Sequence, residues 1–269
     1  MKIAVCIKQV PTREWQPRLN DDRSWVRDQD VSYEMNEPDA YALEEALRLR
    51  EKHGGEVVVC SAGPARVQQV IREALARGAD RALHVEDDSL AAADAFTAAA
   101  ALTAAMAEQN FDLILTGLQS DDQGHAQFGP VLAEKLGIAH STIIMEVMVD
   151  PSAGSGQAPP AGSGQGGPSL RVKRELEGGW FQYIAMPLPA LLTIQSGINQ
   201  LRYATLKGIM AAKKKEIAKV AAPAAGGVRQ KVVALYAPEK AKQTVMIGGS
   251  PGEAAKELVR RLREEARAL

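Results

Sequence analysis

The chain has 269 residues, enough for one large or two small domains, and 46% of them are apolar, enough to bury a sizeable core. With 32 Lys and Arg against 33 Asp and Glu the formal net charge is -1, so no basic excess points to a general nucleic-acid binder. The two cysteines, Cys6 and Cys60, sit in apolar runs that read as strands, the N-terminus offers no signal-like apolar stretch, and no run of about eighteen apolar residues occurs; free thiols and a cytoplasmic protein are expected.

In chain order, the first half alternates β-branched runs with longer amphipathic ones, the pattern of a parallel sheet flanked by helices. "KIAVCIK" (2–8) reads as a strand. "PDAYALEEALRLREKHGG" (38–55) reads as a helix, with Ala42, Leu43, Ala46, Leu47 and Leu49 near one face and Gly54 and Gly55 ending it. Then come the strand "EVVVCSAG" (56–63), a helix over 65–79, the strand "RALHVE" (81–86), one long Ala-rich helix over 90–110 and the strand "FDLILTG" (111–117). A glycine-bounded loop and "FGPVLAEKLG" (128–137) close this half.

The composition changes at 150–169, "DPSAGSGQAPPAGSGQGGPS", which cannot bury enough surface to offset its ordering entropy and reads as a flexible insert inside one fold. "LRVKREL", "EGG" and "WFQYIAM" (170–186) predict a β-hairpin, and "PALLTI" (189–194) a further buried strand. Beyond 220, "AAPAAGG" reads as flexible and "QKVVALYAP" (230–238) as a short strand. "GEAAKELVRRLREEARAL" (252–269) reads as an amphipathic helix, with Leu258, Leu262 and Leu269 near one face, that packs on the main body or on a partner. The expected fold class is α/β: a Rossmann-like parallel sheet flanked by helices over 1–220, with a β-hairpin extension, and a C-terminal arm over 221–269.

Three stretches bear on chemistry. In "YEMNEPDAYALEEA", Asn36 reads as a side-chain cap, Pro38 lies in the first helical turn and Asp39 stands three residues after the cap; as capping this needs no ligand. The loop "TGLQSDDQGHAQFGP" (116–130) runs from a strand to a helix. Its backbone N–H groups and the helix N-terminus can cradle a phosphate at the carboxyl edge of the sheet. Its spacing fits neither G-x-G-x-x-G nor the P-loop, and Asp121, Asp122 and His125 have no second cluster to make a metal site with, so no metal is expected. The third stretch, "LRYATLKGIMAAKKK" (201–215), reads either as a basic patch or as a docking loop.

The run "VKRELEGGWFQYIAMPLPALLT" (172–193) closely resembles the beta subunit of electron transfer flavoproteins, with Val172, Arg174, Glu177, Gly178, Gly179, Gln182, Ile184, Pro189 and Thr193 at the family's spacings. The likeness extends to "VCIKQV", "MNEPDAYALEEALRLRE", "SAGPA" and the loop after Gly117, leaving out only the Gly/Ser-rich insert and the tail. It implies an adenine nucleotide alpha hydrolase-like fold. It also implies an AMP held for structural reasons, and an alpha subunit whose FAD carries electrons from acyl-CoA or other flavin dehydrogenases, as in fatty acid oxidation, to a membrane quinone oxidoreductase. The chain would be a carrier subunit of a heterodimer rather than an enzyme, with no catalytic residues and no nucleic-acid partner. By motif match the nucleotide contacts are Cys6, Asn36, Glu37, Pro38, Asp39 and Ala62. To these the loop adds Gly117, Leu118, Gln119, Ser120, Asp121, Asp122, Gln123, Gly124, His125, Ala126, Gln127 and Phe128. The stretch at 196–215 then resembles the family's recognition loop and helix, with Leu206 as anchor and Arg202, Tyr203, Thr205 and Lys214 around it. Lys213, Lys214 and Lys215 would steer acidic partners or simply favour the helix end.

The departures are specific. Ala211 stands where the family often has Lys, and "INQLRYATLKG" lacks the two prolines usual around the loop, which predicts a less stiff loop. "GLQSDDQGHAQFGP" lies between the ordinary loop and that of electron-bifurcating members. In the latter the beta subunit binds a second FAD and oxidises NADH; that role is the alternative.

Overall fold

The computed structural model describes residues 1–27, 29, 31–149, 169–222, 228–237 and 244–268; the expected insert, apart from Ser169, and most of "AAPAAGG" lie outside the described residues. The strands are β1 (Lys2–Cys6), β2 (Gln9–Pro11), β3 (Tyr33–Met35), β4 (Glu56–Gly63), β5 (Arg81–Glu86), β6 (Leu113–Gly117), β7 (Ala139–Val149), β8 (Ser169–Glu175), β9 (Phe181–Pro187), β10 (Ala190–Ile194) and β11 (Ile217–Val220). The helices are α1 (Glu37–His53), α2 (Gln68–Arg77), α3 (Ala95–Met106), α4 (Phe128–Leu136), α5 (Leu206–Ala212) and α6 (Pro251–Glu264).

Nine strands form one sheet in the order β11-β5-β4-β1-β6-β10-β7-β8-β9, parallel from β11 to β7 and closed by the antiparallel hairpin β8–β9. Successive strand side chains point to opposite faces, so β1 divides its residues between two cores. Ile3 and Val5 pack with Leu43, Leu47, Ile71 and Leu75 of α1 and α2. Ala4 and Cys6 pack with Ala99, Leu102 and Leu132 of α3 and α4. The second face carries small residues on both sides, which lets the Ala-rich α3 approach the strands closely. Full burial of Leu43 and Leu47 contributes about 2 kcal/mol each.

The predicted α/β fold, the hairpin and the buried strand at 190–194 are all present. The long Ala-rich helix is not: residues 88–92 form a separate short turn and the helix starts at Ala95, because Asp94 accepts from Thr97 N at 2.7 Å and caps it. The strand expected over 230–238 does not form among the described residues 230–237; that segment is held by isolated bonds instead, one of them Leu235 N to Arg23 O. Cys6 and Cys60 are free and buried, as expected. Burial pushes the Cys60 thiol up to about 12 and the Cys6 thiol well above its usual value, so neither is a nucleophile in the folded chain. No helix among the described residues is long and apolar enough to cross a membrane.

Candidate functional site

Strand order locates the site. From β1 the chain builds outward through β4 and β5, then returns to place β6 on the other side of β1. A crevice opens at the carboxyl ends of strands where the order reverses in this way. Here it is lined by Cys6 at the end of β1 and Ile7 and Lys8 after it, Ala62 in β4, and Thr116 and Gly117 at the end of β6, around a cavity of about 140 Å³.

The start of α1 is welded to the loop after β6. Asp39 is 6% exposed, and its carboxylate accepts from Lys8 N at 2.7 Å and Gly117 N at 2.9 Å, tying the ends of β1 and β6 to the first helical turn. Burial pushes this carboxyl up to about 7, against the lowering effect of those two N–H groups. Asn36 does not cap α1 as expected: its side chain makes no cap bond. Asn36 Oδ1 accepts from Asp121 N at 2.9 Å and Nδ2 donates to Gln119 O at 3.0 Å, so the amide organises the loop instead. Pro38 and the Asp39 backbone lie so close to Gly117 that a Cβ there would come within 2.7 Å and 2.8 Å of them.

Of the residues expected around a nucleotide, Cys6, Asn36, Asp39, Ala62, Gly117, Leu118, Gln119, Ser120, Gln123, His125, Ala126, Gln127 and Phe128 line the crevice. Glu37, Pro38, Asp121, Asp122 and Gly124 stand behind this lining. Asp121 accepts from Glu37 N at 3.3 Å, and Asp122 pairs with Lys8 Nζ at 2.7 Å. Gly124 takes φ of 63° and donates to Ser120 O, closing the loop turn.

Lys8 and Asp94 line the crevice without having been expected. Among the described residues Lys8 is the only Lys or Arg in that lining. The signal for Asp94 is its place before "AFT", an Asp followed at the third position by Thr inside an alanine run. Asp94 Oδ2 also accepts from Arg229 N and Gln230 N, at 2.7 and 2.8 Å, pinning the 228–237 segment beside the crevice. There a second cavity of about 660 Å³ opens between Trp25, His125, Val228 and Lys231.

Burial acts to raise the Asp94 carboxyl, but the N–H groups of Thr97, Gln230 and Arg229 outweigh it and hold the group at about 2. A carboxyl depressed in the folded state gives stability that is complete above its unfolded value near 4 and lost as pH falls toward 2. Protection of the Arg229 and Gln230 amides against exchange, measured relative to their intrinsic rates, is therefore expected to fall between pH 4 and 2, and Asp94→Ala should give the low protection already at pH 7.

Residues 201–215 lie against α1 and α2 and are tied to them by hydrogen bonds from Arg202, Arg72 and Lys215. Arg202 is ion-paired to α1: its guanidinium and backbone N donate to buried Glu44 at 2.8 to 3.2 Å, and the guanidinium also reaches Glu51 at 2.5 Å. Asn199 Nδ2 donates to Tyr41 O and Glu45 Oε2. Thr205 caps α5 by accepting from Gly208 N at 3.0 Å. Tyr203 and Leu206 stand clear at 89% and 83% exposure, with Ile209 and Met210 also exposed beside them. Lys213 and Lys214 are exposed, whereas Lys215 is partly buried.

The family model described as "Electron transfer flavoprotein domain" matches residues 24–225. "Electron transfer flavoprotein subunit beta" of Methylophilus methylotrophus is 35% identical to this chain, covering 95% of it and 96% of the relative. "Electron transfer flavoprotein subunit beta, mitochondrial" of Oryza sativa subsp. japonica is 35% identical with full coverage of both. "Protein FixA" of Azorhizobium caulinodans is 34% identical over 81% of this chain and 74% of the relative.

Proposed function

The chain belongs to the electron transfer flavoprotein family, on the side of its beta subunits and FixA proteins, and from that premise we propose that it is the nucleotide-holding, partner-docking subunit of a heterodimeric electron carrier. The cleft holds AMP as a structural ligand. An alpha subunit carries the FAD that accepts electrons from a flavin dehydrogenase, acyl-CoA dehydrogenases included, and passes them to a membrane quinone oxidoreductase or another acceptor, in the cytoplasm. The exposed helix α6, which buries none of its residues in this chain, packs on that alpha subunit.

What supports the nucleotide reading is the crevice at the strand-order reversal and its chemistry. α4 begins there with no side-chain cap, leaving N–H groups for an anion. Gln127 Oε1 is buried at its start without a hydrogen-bond partner among the described residues. Lys8 brings an ammonium group, paired with Asp122 at 2.7 Å, to the lining, and the small residues Cys6 and Ala62 leave the strand ends open. A mononucleotide fits this donor set. Lys8, the loop N–H groups and the α4 terminus would hold its phosphate, with Asn36 and Asp39 fixing the loop behind it. The chain's own part in electron transfer is positional: to keep a folded platform under the FAD-bearing subunit and to hold a dehydrogenase against it through Leu206.

The adjoining 660 Å³ cavity favours one second reading, because a ligand longer than a mononucleotide can extend past His125 toward Trp25. In that case this chain binds its own FAD and takes hydride from NADH. Mixing the chain with its flavin-bearing partner subunit tests the first reading. A one-to-one complex that accepts electrons from a flavin dehydrogenase, and that NADH alone does not reduce, is the expected result. Direct reduction by NADH contradicts it.

A further inference from the structure

Helix α5 has seven residues and buries only Ala212 within the chain. An isolated helix of fewer than about 12 residues is marginal in water, so α5 owes its shape to contacts outside itself. Those contacts run to α2 and are reciprocal. Arg72 Nη1, on α2, donates to Ala212 O at 2.5 Å and Lys215 O at 2.7 Å, at the C-terminal end of α5. Lys215 Nζ, just past α5, donates to Leu75 O at 3.1 Å and Ala79 O at 2.5 Å, at the C-terminal end of α2. Ala212 O and Leu75 O are carbonyls of the last turns, where the negative dipole end lies, and Lys215 O and Ala79 O belong to the residues just beyond, so each helix has its C-terminal end bound by a cation from the other, although Ala212 O also accepts from Lys215 N. Between these caps Gly208 lies directly against Ala76 O, where a Cβ would sit 2.3 Å from the oxygen.

We propose that Arg72 and Lys215 are positioning residues for dehydrogenase docking: their crossed caps lock α5 onto α2, so that Leu206 is presented in one fixed place. This rests on the docking role given above to Leu206 and extends it to residues that sequence motifs do not single out. It also divides the lysine run. Lys213 and Lys214 face solvent and are free to attract an acidic partner, while Lys215 is spent inside the fold. Without the caps the loop and α5 would sample many arrangements, and the dehydrogenase would have to order them on binding. That cost falls on affinity, not on electron transfer once the complex has formed.

The test uses the full complex with its flavin-bearing subunit and steady-state electron acceptance from a flavin dehydrogenase. Lys215→Met and Arg72→Met are expected to raise KM about tenfold with kcat unchanged, since the loss is one of preorganisation. Arg72→Lys, which keeps the charge and one donor, should recover most of the loss. In a Leu206→Ala background Lys215→Met should add nothing, because the anchor it positions is already gone. Melting temperature and retained nucleotide, read on the same samples, identify a variant that has lost its fold; Arg72→Lys then carries the test with a smaller rise in KM. Wild-type KM in both Lys215→Met and Arg72→Met overturns the proposal, as does a Lys215→Met effect that multiplies with that of Leu206→Ala. If Leu206→Ala itself leaves KM unchanged, the docking role falls and this inference falls with it.

Discussion

Replacing Leu206 by alanine is expected to weaken docking on a flavin dehydrogenase by about 2 kcal/mol, roughly thirtyfold in Kd, with melting temperature and bound nucleotide unchanged. The expectation rests on an imbalance in the fold. A leucine at 83% exposure contributes almost nothing to the folded chain, yet it heads a helix held by a threonine cap, an arginine bridged to two glutamates, and a glycine seated on a backbone carbonyl. An apolar side chain so placed gains its energy only when a partner pocket closes over it. Titration of wild type and variant against the same dehydrogenase measures the difference. Equal affinities would remove the anchor role, and a fall in melting temperature would show that Leu206 supports the fold instead.

The second large effect is expected at Gly117. An alanine Cβ would sit 2.4 Å from Asp39 Oδ1, 2.7 Å from Pro38 Cβ and 2.8 Å from Asp39 N. None of these atoms can yield easily, since the carboxylate is fixed by two backbone N–H groups and the others belong to the first turn of α1. Gly117→Ala should therefore cost about 3 kcal/mol in urea unfolding, the upper end for an overpacked site, and it should release the nucleotide because the crevice edge moves. Gly124→Ala is the control in the same loop. Its φ of 63° costs a side chain about 1 to 2 kcal/mol, but the nearest atom, Ser120 O, is 4.0 Å away and the crevice wall stays in place. Equal losses at the two glycines would show that backbone conformation alone, and not the closeness of α1 to β6, governs this edge.

What the sequence made legible were features set by neighbours along the chain. The apolar run of β1, the glycine stop after α1, and the turn between β8 and β9 all depend on residues a few positions apart. The loop at 116–130 could be nominated because a strand-to-helix loop at a sheet edge has its ligand geometry built into the backbone. Asn36 was misread for the converse reason. Its hydrogen-bond partners lie more than eighty residues away at Gln119 and Asp121, and the local pattern offers only a cap. The ion pairs of Arg202 could not be read for the same reason, since its counter-charges, Glu44 and Glu51, are on α1.

Strand β7 left no clean sequence signal. Its register slips against both neighbours near Ile143, a residue at φ of 59°, and the alternation of apolar and polar side chains is broken there. Strand β11 has four residues and pairs only with β5 at the sheet edge, so its burial is too slight to mark it. Asp94 was hidden by good helix formers on both sides; alanine propensity favours a continuous helix, and only the tertiary bonds from Arg229 and Gln230 add to its role as a cap.

The central claim is that the crevice holds a structural mononucleotide while the flavin belongs to the partner. The measurement that tests it most directly is to purify the complex of this chain with its flavin-bearing subunit, release the bound nucleotides with acid and count them. One FAD and one AMP per heterodimer is the predicted result. Two FAD and no AMP would contradict it, and would make the cavity between His125 and Trp25 part of a flavin site in this chain.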